Sequence, residues 1–196
     1  MKKIRLAILA SGSGSNADSI MFWAKDQTDL EVVCVVSDKK KAFVLERALA
    51  CNVKSQYVQK NKSLSKEEYD LKLCQTLESF SVDFVILAGF MRILSKTFLD
   101  YFPNKVINIH PSLLPKYPGK SAYEKSYASN DEEYGCTIHF VEEGMDTGKI
   151  IRQEKLLRNR EDSFLEFKKK GLELENKLYP IVIGEVVRDL KKKGML

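Results

Sequence analysis

Short apolar runs alternate with segments of helical spacing through the first half of the chain. The strand-like runs, apolar or β-branched, cover residues 4–10, 32–36, 55–58, 82–88 and 106–110. The segments with helical spacing are 17–25, 43–50 and 64–80. Ser65 stands two residues before Glu67 and is a suitable cap for the third helix. This alternation predicts an α/β protein with a doubly wound, mostly parallel sheet.

The pattern changes in the last third of the chain. Two strand-like runs, 134–141 and 149–157, are separated by the polar segment 142–148, which contains two glycines. A connection this short and polar favours a hairpin-like or hooked excursion over a crossover helix. Residues 162–192 predict one or two closing helices, with Pro180 as a break or a start. No linker, repeat or low-complexity stretch divides the sequence, so we expect one domain over 1–196.

Composition is that of a folded cytoplasmic protein with one substantial core. The chain has 196 residues, of which 44% are hydrophobic and 30% charged. Its net charge of +5 suits an anionic small molecule as well as nucleic acid, and so decides between neither. The apolar run after Met1 is too short for a signal peptide or a membrane span, and we expect no membrane contact.

The cysteines give no sign of a disulfide or of a metal cluster. Cys34, Cys51, Cys74 and Cys136 form no CxxC pair and have no regular spacing. Three of them lie in apolar runs, where a free cysteine acts as a small hydrophobic residue.

A glycine-rich segment, Gly12-Ser13-Gly14-Ser15-Asn16-Ala17, follows the first strand directly. By itself it satisfies the dinucleotide-binding pattern, with Asp38 as a ribose ligand, and so allows a nicotinamide-dependent dehydrogenase. The underlying physics is broader, because any phosphate can approach a glycine turn that opens a helix. A plain capped turn is the third interpretation, and phosphate binding is favoured over the other two. We interpret the lysines at 39–41 as a solvated turn.

The segment at 104–119 carries the strongest chemical signal. Asn108 and His110 are two residues apart in a strand, so both point to one face at its carboxyl end. Pro111, Pro115 and Pro118 then stiffen the following loop. A lone histidine at a strand end is usually a packing residue, but the paired carboxamide and the rigid loop favour catalysis. Acyl transfer needs such a pair, one group to stabilise an oxyanion and one to carry a proton.

Four segments, in this order, resemble the phosphoribosylglycinamide formyltransferase family. They are 12–16, 88–94, 108–115, and 139–141 leading to 146–148. The resemblance runs from Ile4 to about Pro180 and implies a seven-stranded sheet flanked by helices. It implies formyl transfer from 10-formyltetrahydrofolate, a co-substrate, to the amine of glycinamide ribonucleotide in purine synthesis, without a metal. The nucleotide-binding half would cover about 1–100 and the folate and catalytic half about 101–196.

The resemblance also implies roles for individual residues. The catalytic trio maps onto Asn108, His110 and Asp146. The residues that would hold the nucleotide are Gly14, Ser15 and Asn16 at the phosphate, and Glu175. The residues that would line the folate site are Lys66, Met91, Arg92, Ile93, Leu94, Asn108, Val141, Glu142, Glu143 and Asp146.

Two positions depart from the family, and a second histidine lies outside the trio. Tyr123 stands where the family usually has a histidine, and Leu172 where a polar residue can assist Glu175. Both departures concern peripheral substrate contacts. We interpret His139 as structural.

These roles form a consistent mechanism of direct transfer. The neutral amine attacks the formyl carbon, and Asn108 and protonated His110 stabilise the oxyanion. Asp146 would keep His110 charged, because a nearby carboxylate favours the imidazolium, and would help to relay the proton.

Other interpretations stay open at this point. The nearest are a formyltransferase acting on initiator methionyl-tRNA and a formyl-folate hydrolase, although each carries a further domain for which 196 residues leave no room. A dehydrogenase would leave Asn108 and His110 unexplained. The lysine clusters at 39–41, 168–170 and 191–193 are interpreted as solvated surfaces, so no nucleic-acid partner is expected. A weak homodimer is expected at most.

Overall fold

The computed structural model describes residues 3–61 and 63–196, and a seven-stranded sheet runs through its centre. The strands are β1 (Ile4–Leu9), β2 (Leu30–Ser37), β3 (Lys54–Tyr57), β4 (Phe84–Leu87), β5 (Val106–His110), β6 (Glu133–Phe140) and β7 (Ile150–Leu157). Their order across the sheet is β3-β2-β1-β4-β5-β6-β7. The first five strands are parallel, while β6 runs antiparallel to β5 and β7 antiparallel to β6. The predicted fold class and the predicted hairpin-like excursion are both confirmed.

Helices cover the two faces of this sheet. They are α1 (Ser15–Ala24), α2 (Phe43–Ala50), α3 (Lys66–Ser79), α4 (Lys96–Tyr101), α5 (Ala122–Ala128) and α6 (Phe164–Lys192). The first three were predicted, and Ser65 caps α3 by accepting a hydrogen bond from the backbone N–H of Glu68. The sequence analysis did not anticipate α4 and α5. Each has at most seven residues, too few to establish a period of 3.6.

Pro180 neither breaks nor starts a helix, so that expectation was wrong. It lies inside α6, a single helix of 29 residues. A proline within a helix costs about 3 kcal/mol, because it removes one hydrogen bond and crowds the preceding turn. Tyr179, Val182 and Ile183 are fully buried beside it. Burial contributes about 1.5–3 kcal/mol for each aliphatic side chain such as Val182 and Ile183, so these two together offset the cost of the proline.

The core has two layers because both faces of the sheet are covered. In β1, Leu6 and Ile8 face the cluster under α1, α2 and α6, whereas Ala7 and Leu9 face the cluster under α3 and α4. Strands buried on both faces have continuous apolar sequences, which explains the run that opens the chain. The sheet therefore provides a rigid support for the polar groups at its carboxyl edge.

The four cysteines are free, and three of them are buried in this core. Burial raises the pKa of the Cys34, Cys74 and Cys136 thiols to about 12, so these groups stay neutral. They act as small apolar side chains.

Candidate active site

The carboxyl ends of β1, β4 and β5 open onto a cavity of about 900 Å³. This is the edge at which open α/β sheets bind ligands, and the volume is at the upper end for a ligand pocket. Its walls come from the glycine loop, the segment after β4, the proline loop after β5, the loop between β6 and β7, and one face of α6. The predicted catalytic and nucleotide-binding residues all line it.

The glycine loop connects β1 to α1 through a left-handed residue. Gly14 has φ of +78°, and a Cβ at that position would collide with the side chain of Val44. The Gly14 carbonyl accepts the first helical hydrogen bond, from Asp18 N at 2.9 Å. The N–H groups of the first turn lack partners within the helix and lie at the cavity wall. The loop therefore offers an anion site built from backbone donors.

Asp38, the ribose ligand of the dehydrogenase interpretation, has a different role. Its Oδ1 accepts a hydrogen bond from Ser11 Oγ at 2.6 Å, and Ser11 Oγ in turn accepts from the Met91 backbone N–H at 2.9 Å. Asp38 is buried and forms no part of the cavity wall. It ties the glycine loop to the segment after β4, and the geometry gives the nicotinamide alternative no support.

His110 lies between two acceptors at the end of β5. Its Nε2 is 2.8 Å from the carbonyl oxygen of Tyr117, and its Nδ1 is 3.2 Å from Asp146 Oδ2. A carbonyl oxygen can only accept, so Nε2 carries a proton. Asp146 is fixed in turn, because its Oδ2 accepts from the Gly119 backbone N–H at 2.8 Å. Sequence reasoning placed these two side chains together only by resemblance, and the structure brings them into contact.

The proline loop holds the Tyr117 carbonyl in place. Tyr117 has a left-handed backbone with φ of +55°, and its hydroxyl donates to Asp131 Oδ2 at 2.8 Å. Ser112 Oγ donates to the carbonyl of Lys116 at 2.6 Å. Gly119 keeps this loop close to the one that carries Asp146, because a Cβ there would lie 2.6 Å from Met145 Sδ.

His139 holds the amide of Asn108. The register of β5 and β6 pairs the two residues, and Asn108 Nδ2 is 3.2 Å from His139 Nε2. Because His139 Nδ1 donates to the Phe140 carbonyl at 2.8 Å, its Nε2 is free to accept from the amide. His139 Nε2 also lies 3.7 Å from Asp146 Oδ1. Sequence reasoning interpreted His139 as structural and missed this proximity, since strand register cannot be read from the sequence alone.

Burial and charge have opposing effects on the two central groups. Burial lowers the pKa of His110 below its ordinary value, although the Tyr117 carbonyl and the Asp146 carboxylate act in the opposite direction. Burial also opposes the charged form of Asp146, but the nearby His139 ring, the hydrogen bond from the Gly119 N–H and the charge of His110 lower its pKa overall. The charge of His110 in the free protein therefore reflects a balance between burial and the two acceptors that face its ring.

A buried carboxylate marks the other end of the cavity. Glu175 on α6 accepts hydrogen bonds from Asn16 Nδ2, at 2.6 Å from Oε2, and from the Tyr123 hydroxyl at Oε1. Burial raises the pKa of Glu175, and these two donors counteract only part of that shift. Leu172 lies one turn earlier on the same helix and also lines the cavity.

Most of the predicted folate-binding residues line the cavity beside the trio. Arg92 stacks on the Tyr69 ring with its guanidinium carbon 4.5 Å from the centroid, while Met91 and Ile93 are exposed at the opening. Leu94, Val141 and Glu142 also lie in the wall. Two predicted residues do not. Lys66 begins α3 and Glu143 lies in the loop after β6; both are exposed, and neither lines the cavity.

Two structural features are absent from the part of the chain that the structure describes. Over residues 3–61 and 63–196, no three histidine, cysteine or acidic side chains converge on a position suited to a metal ion. None of the helices in that same range is long and apolar enough to cross a bilayer. The donors present are instead backbone N–H groups, an amide, an imidazole and carboxylates.

Comparison with known proteins adds independent information. The sequence profile of a family described as formyl transferase matches residues 4–183. A phosphoribosylglycinamide formyltransferase of Haemophilus influenzae is 40% identical over 186 residues, which cover 93% of this chain and 86% of that protein. The enzyme of that name from Bacillus subtilis is 36% identical, with 95% of each chain covered. A trifunctional purine biosynthetic protein, adenosine-3, of Drosophila melanogaster is 40% identical, but the match spans only 12% of its length.

Solved structures agree with these relatives. A phosphoribosylglycinamide formyltransferase from Bacillus halodurans superposes with a TM-score of 0.89 at 39% identity, covering 96% of each chain. A glycinamide ribonucleotide transformylase from Symbiobacterium toebii gives a TM-score of 0.88 at 35% identity, covering 92% of this chain and 86% of that one. The similarity therefore extends over the sheet, the helices and the cavity edge together.

Proposed function

The chain belongs to the formyl transferase family, and on that basis we propose that it transfers a formyl group from 10-formyltetrahydrofolate to the amine of glycinamide ribonucleotide. Relatives named for this activity match more than nine-tenths of the chain. The observation that carries the proposal is one cavity that contains both the glycine loop and the cluster of Asn108, His110 and Asp146. An anion site and an acyl-transfer site then face the same ligand space.

The nucleotide would bind through its phosphate at the start of α1. Gly14, Ser15 and Asn16 supply backbone N–H groups there, and the helix dipole adds a partial positive charge. Glu175 accepts a hydrogen bond from Asn16 and would accept another from the same nucleotide. The folate would lie along 91–94 and the loop after Val141, where apolar side chains and Arg92 line the opening.

The chemistry requires an oxyanion to be stabilised and one proton to be moved. The neutral amine of the nucleotide attacks the formyl carbon, and the carbonyl oxygen takes up negative charge. Asn108 Nδ2 has a second N–H that can donate to that oxygen, and the positive charge of the protonated His110 ring adds electrostatic stabilisation. One proton leaves the attacking nitrogen and one is gained by the departing folate nitrogen, so the reaction needs no outside acid or base.

His110 is poised to change charge during this step. Both of its ring nitrogens face acceptors, a geometry that suits the imidazolium, while burial favours the neutral ring. A negative charge that develops nearby shifts this balance toward the protonated ring. The Asp146 carboxylate, whose pKa is lowered, stabilises that positive charge. It also helps to relay the one proton that passes from the attacking nitrogen to the leaving nitrogen.

A coupled assay tests the proposal. The purified protein is incubated with 10-formyltetrahydrofolate and glycinamide ribonucleotide, and both folate release and formylated nucleotide are quantified. We expect one formylated nucleotide for each folate released. Folate release without the nucleotide would instead identify a hydrolase, and formylation of initiator methionyl-tRNA in its place would identify the other related activity.

A further inference from the structure

Tyr123 packs against a glycine in the middle of a long helix. Gly171 lies within α6, and a Cβ there would be 2.5 Å from Tyr123 Cε1 and 2.7 Å from its hydroxyl oxygen. Glycine is unfavourable inside a helix because its backbone loses the most freedom on ordering. Its presence here is explained by the tyrosine ring, which could not approach α6 past any larger residue. Tyr123 and Gly171 therefore form a matched pair.

The pair places the tyrosine hydroxyl on the buried carboxylate. Glu175 lies one helical turn after Gly171, and its Oε1 accepts from the Tyr123 hydroxyl while its Oε2 accepts from Asn16 Nδ2. Glu175 and Tyr123 are only 3% and 7% exposed, yet both line the cavity. The carboxylate is thus held by one donor from α1 and one from α5, and each of its oxygens retains a lone pair for a ligand.

The groups around Glu175 make the tyrosine important for its charge. Burial raises the pKa of Glu175, whereas the hydrogen bonds from Tyr123 and Asn16 and the charge of Lys168 lower it. Cys136 on β6 and Tyr179 on α6 also face it, but burial raises the pKa of both, so they stay neutral. The Tyr123 hydroxyl is therefore one of three groups that favour the carboxylate, and of the three it lowers the pKa of Glu175 most.

We propose that Tyr123 is a positioning residue for the nucleotide substrate: it orients the Glu175 carboxylate, and Gly171 provides the space for its ring. This inference rests on the proposed function, since it assigns Glu175 to the nucleotide. It gives a role to the position at which this chain departs from the family's usual histidine. Tyr123 acts through Glu175 and does not contact the reacting atoms.

Tyr127, one turn further along α5, provides a matched control. Its hydroxyl donates to the Asp162 carbonyl at 3.0 Å, and its ring packs on Phe167, as that of Tyr123 does. It does not line the cavity. Tyr127→Phe removes a tyrosine hydroxyl from the same small aromatic cluster without affecting Glu175.

The test compares Tyr123→Phe, Tyr127→Phe and Glu175→Gln with the parent enzyme. The KM for glycinamide ribonucleotide, the KM for the folate and kcat are measured from acid to neutral pH. Loss of a hydrogen bond to a charged group should raise the nucleotide KM of Tyr123→Phe about tenfold, with kcat and the folate KM nearly unchanged. Because removing the donor raises the pKa of Glu175, the pH below which the nucleotide KM increases should move upward.

In Glu175→Gln the nucleotide KM should rise and lose this pH dependence, and Tyr127→Phe should match the parent. If Glu175→Gln raises the nucleotide KM while Tyr123→Phe keeps the parental KM and pH profile, the positioning role of Tyr123 is wrong and the proposed function stands. If the nucleotide is not formylated by the parent enzyme at all, the proposed function fails and this inference with it.

Discussion

The surroundings of the His110 imidazole have opposing effects on its pKa. His110 is 5% exposed and has acceptors at both ring nitrogens, the Tyr117 carbonyl and the Asp146 carboxylate. Burial lowers its pKa, and the carboxylate limits that decrease. The protonation state of His110 during catalysis therefore depends on Asp146.

Replacing Asp146 with asparagine should remove the negative charge of this side chain while leaving the local structure intact. Asparagine has nearly the same shape and tolerates the left-handed backbone of this position, where φ is +57°. Without the carboxylate, the pKa of His110 should fall further, and turnover should drop about 10²- to 10³-fold at neutral pH. NMR titration of His110 and steady-state kinetics measure the two effects. Near-parental activity together with an unchanged titration would reduce Asp146 to a turn residue, a role that asparagine fills equally well.

Ionisation of Glu175 should affect how the free energy of unfolding depends on pH. Its pKa is raised in the folded protein, so its contribution is fully present below the pKa of the unfolded chain and is lost as the pH rises through the folded value. Glutamine at this position does not ionise, so Glu175→Gln does not lose stability in this way as the pH rises. The free energy of unfolding of the variant should therefore gain on that of the parent as the pH rises from acid to neutral.

Urea unfolding across this pH range measures the difference. Glu173→Gln, an exposed change in the same helix, serves as the control and should follow the parent curve throughout. If the curves of Glu175→Gln and the parent stay parallel, the carboxyl is not penalised by burial.

At the scale of the secondary-structure elements, the loop between β1 and α1 is where we propose that the nucleotide's phosphate binds. Gly14→Ala would force a left-handed backbone on a residue with a side chain and drive its Cβ into Val44. We expect a higher KM for the nucleotide, an unchanged KM for the folate and a lower Tm. Gly12→Ala, where a Cβ meets nothing within 4 Å, should keep the parental Tm. An unchanged nucleotide KM in Gly14→Ala would move the phosphate away from this loop, and micromolar binding of NAD would restore the dehydrogenase interpretation.

The sequence predicts the strands and the long helices well and the short helices poorly. The β5 segment was placed correctly because Asn108 and His110 interrupt an apolar strand at its carboxyl end. The helices α4 and α5 were missed because six or seven residues contain too little periodicity. The predicted helix break at Pro180 was wrong because local propensity does not include the burial of Tyr179, Val182 and Ile183 on the same helix.

At the scale of the whole molecule, the site is assembled from distant parts of the chain. Asn16 and Glu175 are 159 residues apart in sequence and share a hydrogen bond. The Asn108–His139 contact depends on the register of an antiparallel pair. Neither contact follows from local patterns, and Asp146 and Glu175 could be assigned only through resemblance. Lys66 and Glu143, assigned in the same way, are exposed and do not line the cavity, so their folate contacts stay a prediction.

Under the proposed function, this assembly would bring two substrates into one cavity, with the trio at its wall. The glycine loop and Glu175 lie together through the bond to Asn16, while Met91, Ile93 and Arg92 lie at the segment after β4. Direct transfer between bound substrates requires no covalent enzyme intermediate. We therefore expect the formyl group to pass directly from donor to acceptor within the ternary complex, with no covalent bond to the enzyme.

A single-turnover experiment tests this central claim most directly. Enzyme in excess over 10-formyltetrahydrofolate labelled in the formyl carbon is mixed with glycinamide ribonucleotide, and the label is followed in the nucleotide, the protein and free formate. We expect all of the label in the nucleotide and none on the protein. Asn108→Ala should slow that transfer about 10²- to 10³-fold with intact substrate binding. Label in formate or on the protein, or parental transfer by Asn108→Ala, would contradict the account.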